Sequence, residues 1–396
     1  MMLATRLNET VQNLSCVDTI YFVQNGSITF SQAMELTNIE KCINHFGDHP
    51  MWLQIAVVVS CLIMVTVAFL GNTVVIWLIL TYRIMRTVTN YFLLNLAVAD
   101  AMATVFNTMF NSIYFFYGNH WRFGNGYCTF TLFVAHCTVS VHVLTFVAIA
   151  VDRYIAIIHP LRPRLSKKIV LGVICGIWTL SSMVGIPAIL VGGVARVTDA
   201  LMPDGSAWYQ CQMNWAPEKD LSYNIFLTSF EYFIPLMVLL VTYMRISARL
   251  WSGERIGENT PTLQDAIQAK RRVVKMLIVV VLLFAVCWLP YHVFFLLQFE
   301  HDHIFHYDGI QYIWLVVFWV AMSNTMFNPI VYVWMNKRFR CGFKSFFRWL
   351  PCVHYGRDEM KVLFNSQASY PCMTLSEDSA NPPFLLMSRM RYSRNY

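Results

Sequence analysis

"VVKMLIVVVLLFAVCWLPYHVFFLL" (residues 273–297) holds one charged side chain, Lys275, and is otherwise almost wholly apolar. A helix that crosses a bilayer needs about 20 predominantly apolar residues, so this run is long enough to span. Its unbroken character excludes the alternating ten-residue strands of a membrane barrel. The run extends over 273–299, and six more of the same kind lie at 52–80, 88–116, 129–158, 169–191, 221–246 and 310–335. Composition agrees: the 396 residues are 57% hydrophobic and 13% charged, about half the charge of a soluble domain. The reading is an all-α membrane protein, a bundle of seven transmembrane helices.

The basic residues orient the bundle. Of 29 Lys and Arg, only Arg6, Lys41, Arg122, Arg196 and Lys219 fall on the N-terminal side, while acidic residues crowd there. Basic loops stay cytoplasmic, which predicts a multi-pass protein with an extracellular N-terminus; the plasma membrane is the expected location. All three Asn-x-Ser/Thr sequons, Asn8, Asn13 and Asn25, lie in the tail 1–51, where glycosylation reaches them. That tail shows no apolar stretch followed by a small-residue cleavage site, so no removable signal peptide is expected.

Cys128 opens the third run and Cys211 lies in the longest outer loop, residues 192–220. Both face the oxidising side, where a disulfide persists and would tie that loop over the bundle mouth. Cys16 and Cys42 form a second possible pair, with free thiols as the alternative. Cys61, Cys137, Cys175 and Cys287 read as small core residues, and no Cys/His cluster has zinc spacing. No metal, cofactor or nucleic acid is expected.

After the seventh run, Phe339, Phe343, Phe346, Phe347 and Leu350 recur at helical spacing with Lys337, Arg338, Arg340, Lys344 and Arg348 between them. Residues 336–350 therefore predict a short amphipathic eighth helix on the inner membrane surface. Pro351 would end it, and Cys352 is either palmitoylated or unmodified. The tail 351–396 reads as mostly disordered.

Catalytic signatures fail: HExxH, GxSxG and the phosphate-cradling GxxxxGK[ST] are absent. What the runs do share is one motif each, in order: "GNTVV" (71–75), "NLAVAD" (95–100), "DRY" (152–154), Trp178, Pro235 with Tyr243, "CWLP" (287–290) and "NPIVY" (328–332). The set resembles the rhodopsin-like class of G-protein-coupled receptors over about residues 52–350. "IHPLRPRLS" (158–166), "AMSNTMFNPIVY" (321–332) and "RFRCGFK" (338–344) further resemble the tachykinin (neurokinin) receptors, as does the paired-asparagine stretch "FNTMFNSIY" (106–114). Ala135 stands where amine receptors carry an Asp, and Met322 where opsins carry the retinal Lys. A peptide ligand is the better fit.

Asn107 and Asn111 are four apart and share a helix face. By themselves they read as an interhelical polar contact. The resemblance implies that they line the peptide site with Tyr114, Tyr291, His292, Phe295 and Trp314, and their amides suit an amidated peptide C-terminus. It also implies heterotrimeric G proteins, of the Gq class, and arrestin as partners. The activation switch it implies comprises Asp152, Arg153, Tyr154, Tyr243, Phe284, Trp288, Pro290, Asn328, Pro329 and Tyr332. Receptors for neuropeptide Y-like or RFamide peptides are the near alternative, and a transporter or channel the remote one.

Several positions depart from the family pattern. Thr131 and Leu132 replace a His–Asn pair, Ala188 a Gln, and Asn224 a His. Glu231 replaces an apolar residue four before Pro235. A buried unpaired carboxylate is costly, so Glu231 is protonated, paired with a polar neighbour, or the counter-ion of a basic peptide. Asn72, Asp100, Asn324 and Asn328 resemble a buried polar cluster that in many members holds sodium. The third-run Ser that completes it is His142 here, so an Asp100–His142 hydrogen bond is expected in place of part of the ion's shell. Finally, Lys270, Arg271 and Arg272 stand where many receptors carry an acid that clamps Arg153, which leaves the restraint to Asp152.

Overall fold

Hydrocarbon offers the backbone no hydrogen-bond partner, so each apolar run satisfies its own N–H and C=O groups by coiling. The computed structural model describes residues 51–364 apart from 117–119, 164, 202–206, 252–260, 301–309, 352 and 355. Asn8, Asn13, Asn25, Cys16, Cys42 and Cys352 lie outside the described residues. Among the described residues, seven helices are long and apolar enough to cross a membrane. They are α1 (Met51–Thr81), α2 (Val88–Ala103, continued by Thr104–Thr108 and Met109–Phe116), α3 (Gly124–Ile158), α4 (Lys167–Val191), α5 (Pro217–Leu227, Thr228–Phe233 and Ile234–Trp251), α6 (Pro261–Glu300) and α7 (Ile310–Met335). The middle segments of α2 and α5 are π-helical turns.

α5 and α6 outrun their apolar stretches. α5 starts four residues early because Pro217 suits a first helical turn and Glu218 and Asp220 complement its dipole. The outward faces of α1 and α4 are greasy: Leu62 is 61% exposed and Met183 58%. Cys175, expected in the core, lies exposed on this outward face of α4, whereas Cys61, Cys137 and Cys287 are buried. A hydrophobic run marks a span but not the phase of each residue around it.

The core follows the polar contacts as much as the apolar ones. Asn95 of α2 donates to Thr145 of α3 at 2.8 Å and accepts from the Trp178 indole of α4 at 2.8 Å, pinning three helices together. On the far side, Asn72 of α1 donates to the Thr325 carbonyl of α7 at 2.9 Å. There α1 approaches α7 so closely that a Cβ on Gly71 would stand 2.7 Å from Cγ of Pro329. A proline ring cannot rotate away, so Gly71→Ala should push α1 off α7. The expected cost is about 1–3 kcal/mol, read as a lower melting temperature in detergent; an unchanged one would mean that the helices part freely.

One element breaks the all-helical expectation among the described residues. The loop after α4 forms an antiparallel hairpin of β1 (Gly192–Leu201) and β2 (Ala207–Met213), in the register Gly192↔Met213, Val194↔Cys211 and Val197↔Trp208. The expected Cys128–Cys211 disulfide is formed and anchors β2 to the top of α3. Asn125 accepts from the Val194 amide at 2.8 Å, and the Trp121 amide donates to the Tyr209 carbonyl at 2.9 Å. Gly124, at φ +78, makes the turn into α3 that brings these groups under the hairpin.

At the opposite end, α8 (Lys337–Phe346) is capped by Asn336, which accepts from the Arg338 amide at 3.0 Å. Its apolar side meets the bundle: Phe339 packs on Tyr332 and Phe346 on Trp77, at 5.4 and 5.1 Å between ring centres. The helix stops at Phe346, ahead of Pro351. Within the tail read as mostly disordered, residues 357–364 form α9 (Arg357–Phe364). Leu363 is 2% exposed, and Lys344 of α8 pairs with Glu359 at 2.6 Å. That bond from Lys344 holds the Glu359 carboxyl below its usual range. α9 forms because an apolar edge and one ion pair give it α8 as a partner, a tertiary contact that composition does not reveal.

Candidate functional site

Beneath the hairpin, the two π-turns decide which side chains meet. A π-turn adds a residue to the helical repeat and rotates every side chain beyond it, and such turns gather at functional positions. Asn107 lies in the α2 turn and Glu231 in the α5 turn. Asn107 and Asn111 do share a face, but they bond to each other: Asn111 donates to the Asn107 side-chain oxygen at 2.6 Å and to its backbone carbonyl at 3.1 Å. Thr131 of α3, one of the departures, donates to the Phe106 carbonyl at 2.9 Å and approaches Asn107 Oδ1 at 3.4 Å. Asn107 is thereby fixed, and its amide nitrogen faces the Met322 sulfur at 3.9 Å. Asn224, another departure, turns back to the Asp220 carbonyl at 2.9 Å.

Aromatic rings form the walls. Tyr291 of α6 packs on Trp288, His292 and Phe295, at 5.4, 5.8 and 4.7 Å between ring centres. Tyr114 of α2 meets Trp121 at 5.5 Å. Trp314 of α7 stacks on Phe318 at 5.2 Å and also packs against Val57, Cys61, Phe115 and Leu315, so part of its ring closes the α1–α2–α7 wall. His292 pairs through Nδ1 with Thr228 Oγ1 at 3.2 Å. Its Nε2 and the indole nitrogen of Trp288 are buried without a hydrogen-bond partner among the described residues.

Glu231 is 3% exposed and accepts a hydrogen bond from Ser140 of α3. Of the readings open from sequence, a polar neighbour is therefore present. Ser140 gives no signal in the sequence, because a lone hydroxyl in an apolar run normally bonds its own helix, as Thr138 does with the Val134 carbonyl at 2.8 Å.

Below the rings, Phe284 packs on Trp288, Tyr232, Phe146 and the His142 imidazole, linking the aromatic walls to the centre of the bundle. The expected Asp100–His142 hydrogen bond gives way to a three-residue arrangement. Asn328 Nδ2 donates to Asp100 Oδ2 at 2.9 Å and meets His142 Nε2 at 3.1 Å. An amide nitrogen only donates, so Nε2 accepts and the proton of the neutral ring resides on Nδ1. That N–H lies 3.3 Å from Asp100 Oδ1, in electrostatic contact but without hydrogen-bond alignment. An N–H facing Asp100 Oδ1 disfavours a cation at that oxygen, while Asn72 Oδ1 and Asn324 Oδ1 are likewise buried without a hydrogen-bond partner among the described residues. His142→Ser is expected to make agonist affinity sodium-dependent where the native chain is indifferent. Radioligand competition with sodium or N-methylglucamine chloride reads this, and a sodium effect on the native chain would contradict it.

At the end remote from the hairpin, Arg153 bonds its neighbour Asp152 through Nε at 3.0 Å and Nη2 at 2.5 Å. Asp152 also accepts from Thr89 of α2 at 3.1 Å, a partner that no sequence pattern marks. Tyr154 packs on His159, and Tyr243 lies within electrostatic reach of Arg153. Tyr332 is buried with its hydroxyl unpartnered among the described residues. Arg271 of α6 turns away from α3: it donates to the Leu250 carbonyl of α5 at 3.2 and 2.8 Å and lies over the Trp251 ring at 5.4 Å. Pro290 and Pro329 lie inside α6 and α7 between these two regions, each removing one helical hydrogen bond.

Residues 71–332 match the family model of the seven-transmembrane receptors of the rhodopsin family. The chain is 40% identical over 327 residues to the tachykinin-like peptides receptor 99D of Drosophila melanogaster, covering 82% of this chain and 63% of that one. It is 43% identical over 305 residues to the neuromedin-K receptor of Rattus norvegicus, covering 76% and 65%. To the substance-P receptor of Aquarana catesbeiana it is 41% identical over 342 residues, covering 85% and 80%. The match thus spans just under two thirds of the fly and rat receptors.

Proposed function

Because the chain belongs to the rhodopsin family of seven-transmembrane receptors and stands close to its tachykinin receptors, we propose that it binds a tachykinin-like, C-terminally amidated neuropeptide and activates heterotrimeric G proteins. What supports this reading is the set of side chains toward the hairpin end of the bundle: a fixed asparagine pair on α2 and aromatic rings on α6, residue types that would orient a chain end and bury its side chains. The relatives' names point to the same ligand class. The family is one of receptors, not enzymes.

Bound peptide would favour one of two packings of the helix ends around Arg153. The contact from Trp288 to Phe284 transmits its presence, the prolines in α6 and α7 supply the bends, and Tyr243 and Tyr332 receive Arg153 once Asp152 releases it. The receptor works at the plasma membrane with its N-terminus and glycans outside, couples to the Gq class and recruits arrestin. Cells expressing the chain, challenged with amidated tachykinin, neuropeptide Y-like and RFamide peptides under a calcium readout, test this reading. Calcium release by the tachykinin set alone supports it. A response confined to another set identifies a sibling peptide receptor, and silence with intact surface expression rejects both.

A further inference from the structure

Glu231 is a poor choice for a purely structural bond. Burying a carboxylate among helices is expensive, and a serine hydroxyl meets only part of its hydrogen-bonding capacity. Oε1 takes Ser140, while Oε2 has no hydrogen-bond partner and no ion pair among the described residues. The π-turn in α5 holds this acid next to Tyr232, whose ring faces His292 at 4.9 Å. Tyr223 and Tyr291 are within its electrostatic reach, and His136 meets Tyr223 edge-on at 5.5 Å. An acid with an open oxygen, ringed by aromatic groups, is the arrangement that receives a cation.

Two further atoms point to a missing occupant. The Trp288 indole N–H and His292 Nε2 are buried with nothing to bond among the described residues. Unsatisfied groups of this kind are costly unless a ligand meets them. An indole N–H suits a peptide carbonyl. In the tautomer whose Nδ1–H donates to Thr228, Nε2 is an acceptor and suits the N–H of a guanidinium.

We propose that Glu231 is the seat for a cationic side chain of the peptide, an arginine or lysine head group that enters between α3, α5 and α6 and bonds Oε2. The inference rests on the peptide-receptor reading above and narrows it to basic peptides. It names a specificity-determining residue that lies apart from the asparagine floor.

The test pairs receptor and peptide changes. Amidated tachykinin-type peptides with one arginine, moved through the C-terminal positions, are each matched with a citrulline twin that keeps shape and loses charge. On the native receptor, one position should show a potency loss of roughly 30-fold for the citrulline twin. On Glu231→Gln, the twins at that position should become equipotent. Glu231→Asp, which keeps the charge but shortens its reach, should weaken the arginine peptide more than its twin and serves if the Gln variant fails to reach the surface. Equal potency of the twins at every position on the native receptor, or an undiminished citrulline penalty on Glu231→Gln, overturns the proposal. Silence of the native receptor to every peptide overturns the peptide-receptor reading, and this subsite with it.

Discussion

Cys211→Ser is expected to lower both the stability of the receptor and its response to peptide, more than any other single change considered. The bridge to Cys128 closes 83 residues of chain, for which the chain-entropy estimate is about 4–5 kcal/mol. Membrane insertion already restrains α3 and α4 in the unfolded reference state, so about 2–4 kcal/mol should survive in measurement. Potency falls too, because β2 loses its anchor and only hydrogen bonds such as Asn125 to Val194 then hold the hairpin at the mouth. The checks are the melting temperature in detergent and peptide potency at matched surface expression. If both are unchanged, the hairpin is held by its backbone contacts and the bridge is incidental.

The second large effect concerns Asp152→Asn. Two guanidinium bonds and the Thr89 hydroxyl converge on Oδ2, and charge-assisted bonds of this kind contribute about 1.5–3 kcal/mol each. Asparagine keeps an acceptor but loses the charge. If about 1.4 kcal/mol of the restraint is lost, the resting-to-active ratio shifts about tenfold. Ligand-free signalling should therefore rise severalfold. Thr89→Ala should raise it less, since it removes one hydroxyl bond to the carboxylate and leaves the ion pair intact. An unchanged basal level in Asp152→Asn at equal surface expression would assign the restraint to other contacts.

The spans and the Asp152–Arg153 pair are readable from sequence because each depends on composition or on a short fixed pattern. Seven apolar runs must become seven helices in lipid, whatever the details of packing. Asp152 and Arg153 are neighbours in the chain, so their pairing requires no knowledge of the fold. The candidate site is readable only in part, because it depends on helical phase. A π-turn changes neither composition nor apolar content, so nothing announces that Glu231 meets Ser140. The same limit applies to Asn107 and Asn111: four-residue spacing puts them on one face but does not reveal that they bond to each other. His142 stands out because its residue type is out of place, yet its aligned partner, Asn328, comes from a helix 186 positions away. The hairpin and α9 escape the sequence for a different reason. Each is stabilised by a neighbour, the disulfide in one case and α8 in the other, and no local signal carries that.

The grip of Arg271 on the end of α5 has a mechanical consequence. With two hydrogen bonds to the Leu250 carbonyl and a cation over the Trp251 ring, the inner ends of α5 and α6 are riveted side by side. A riveted pair swings as one arm: an outward excursion of α6 carries α5 with it instead of opening a gap between them. If these helix ends part to admit a G protein, as proposed above, the opening would lie on the α3 side of this pair, and its width would follow the swing of the whole arm.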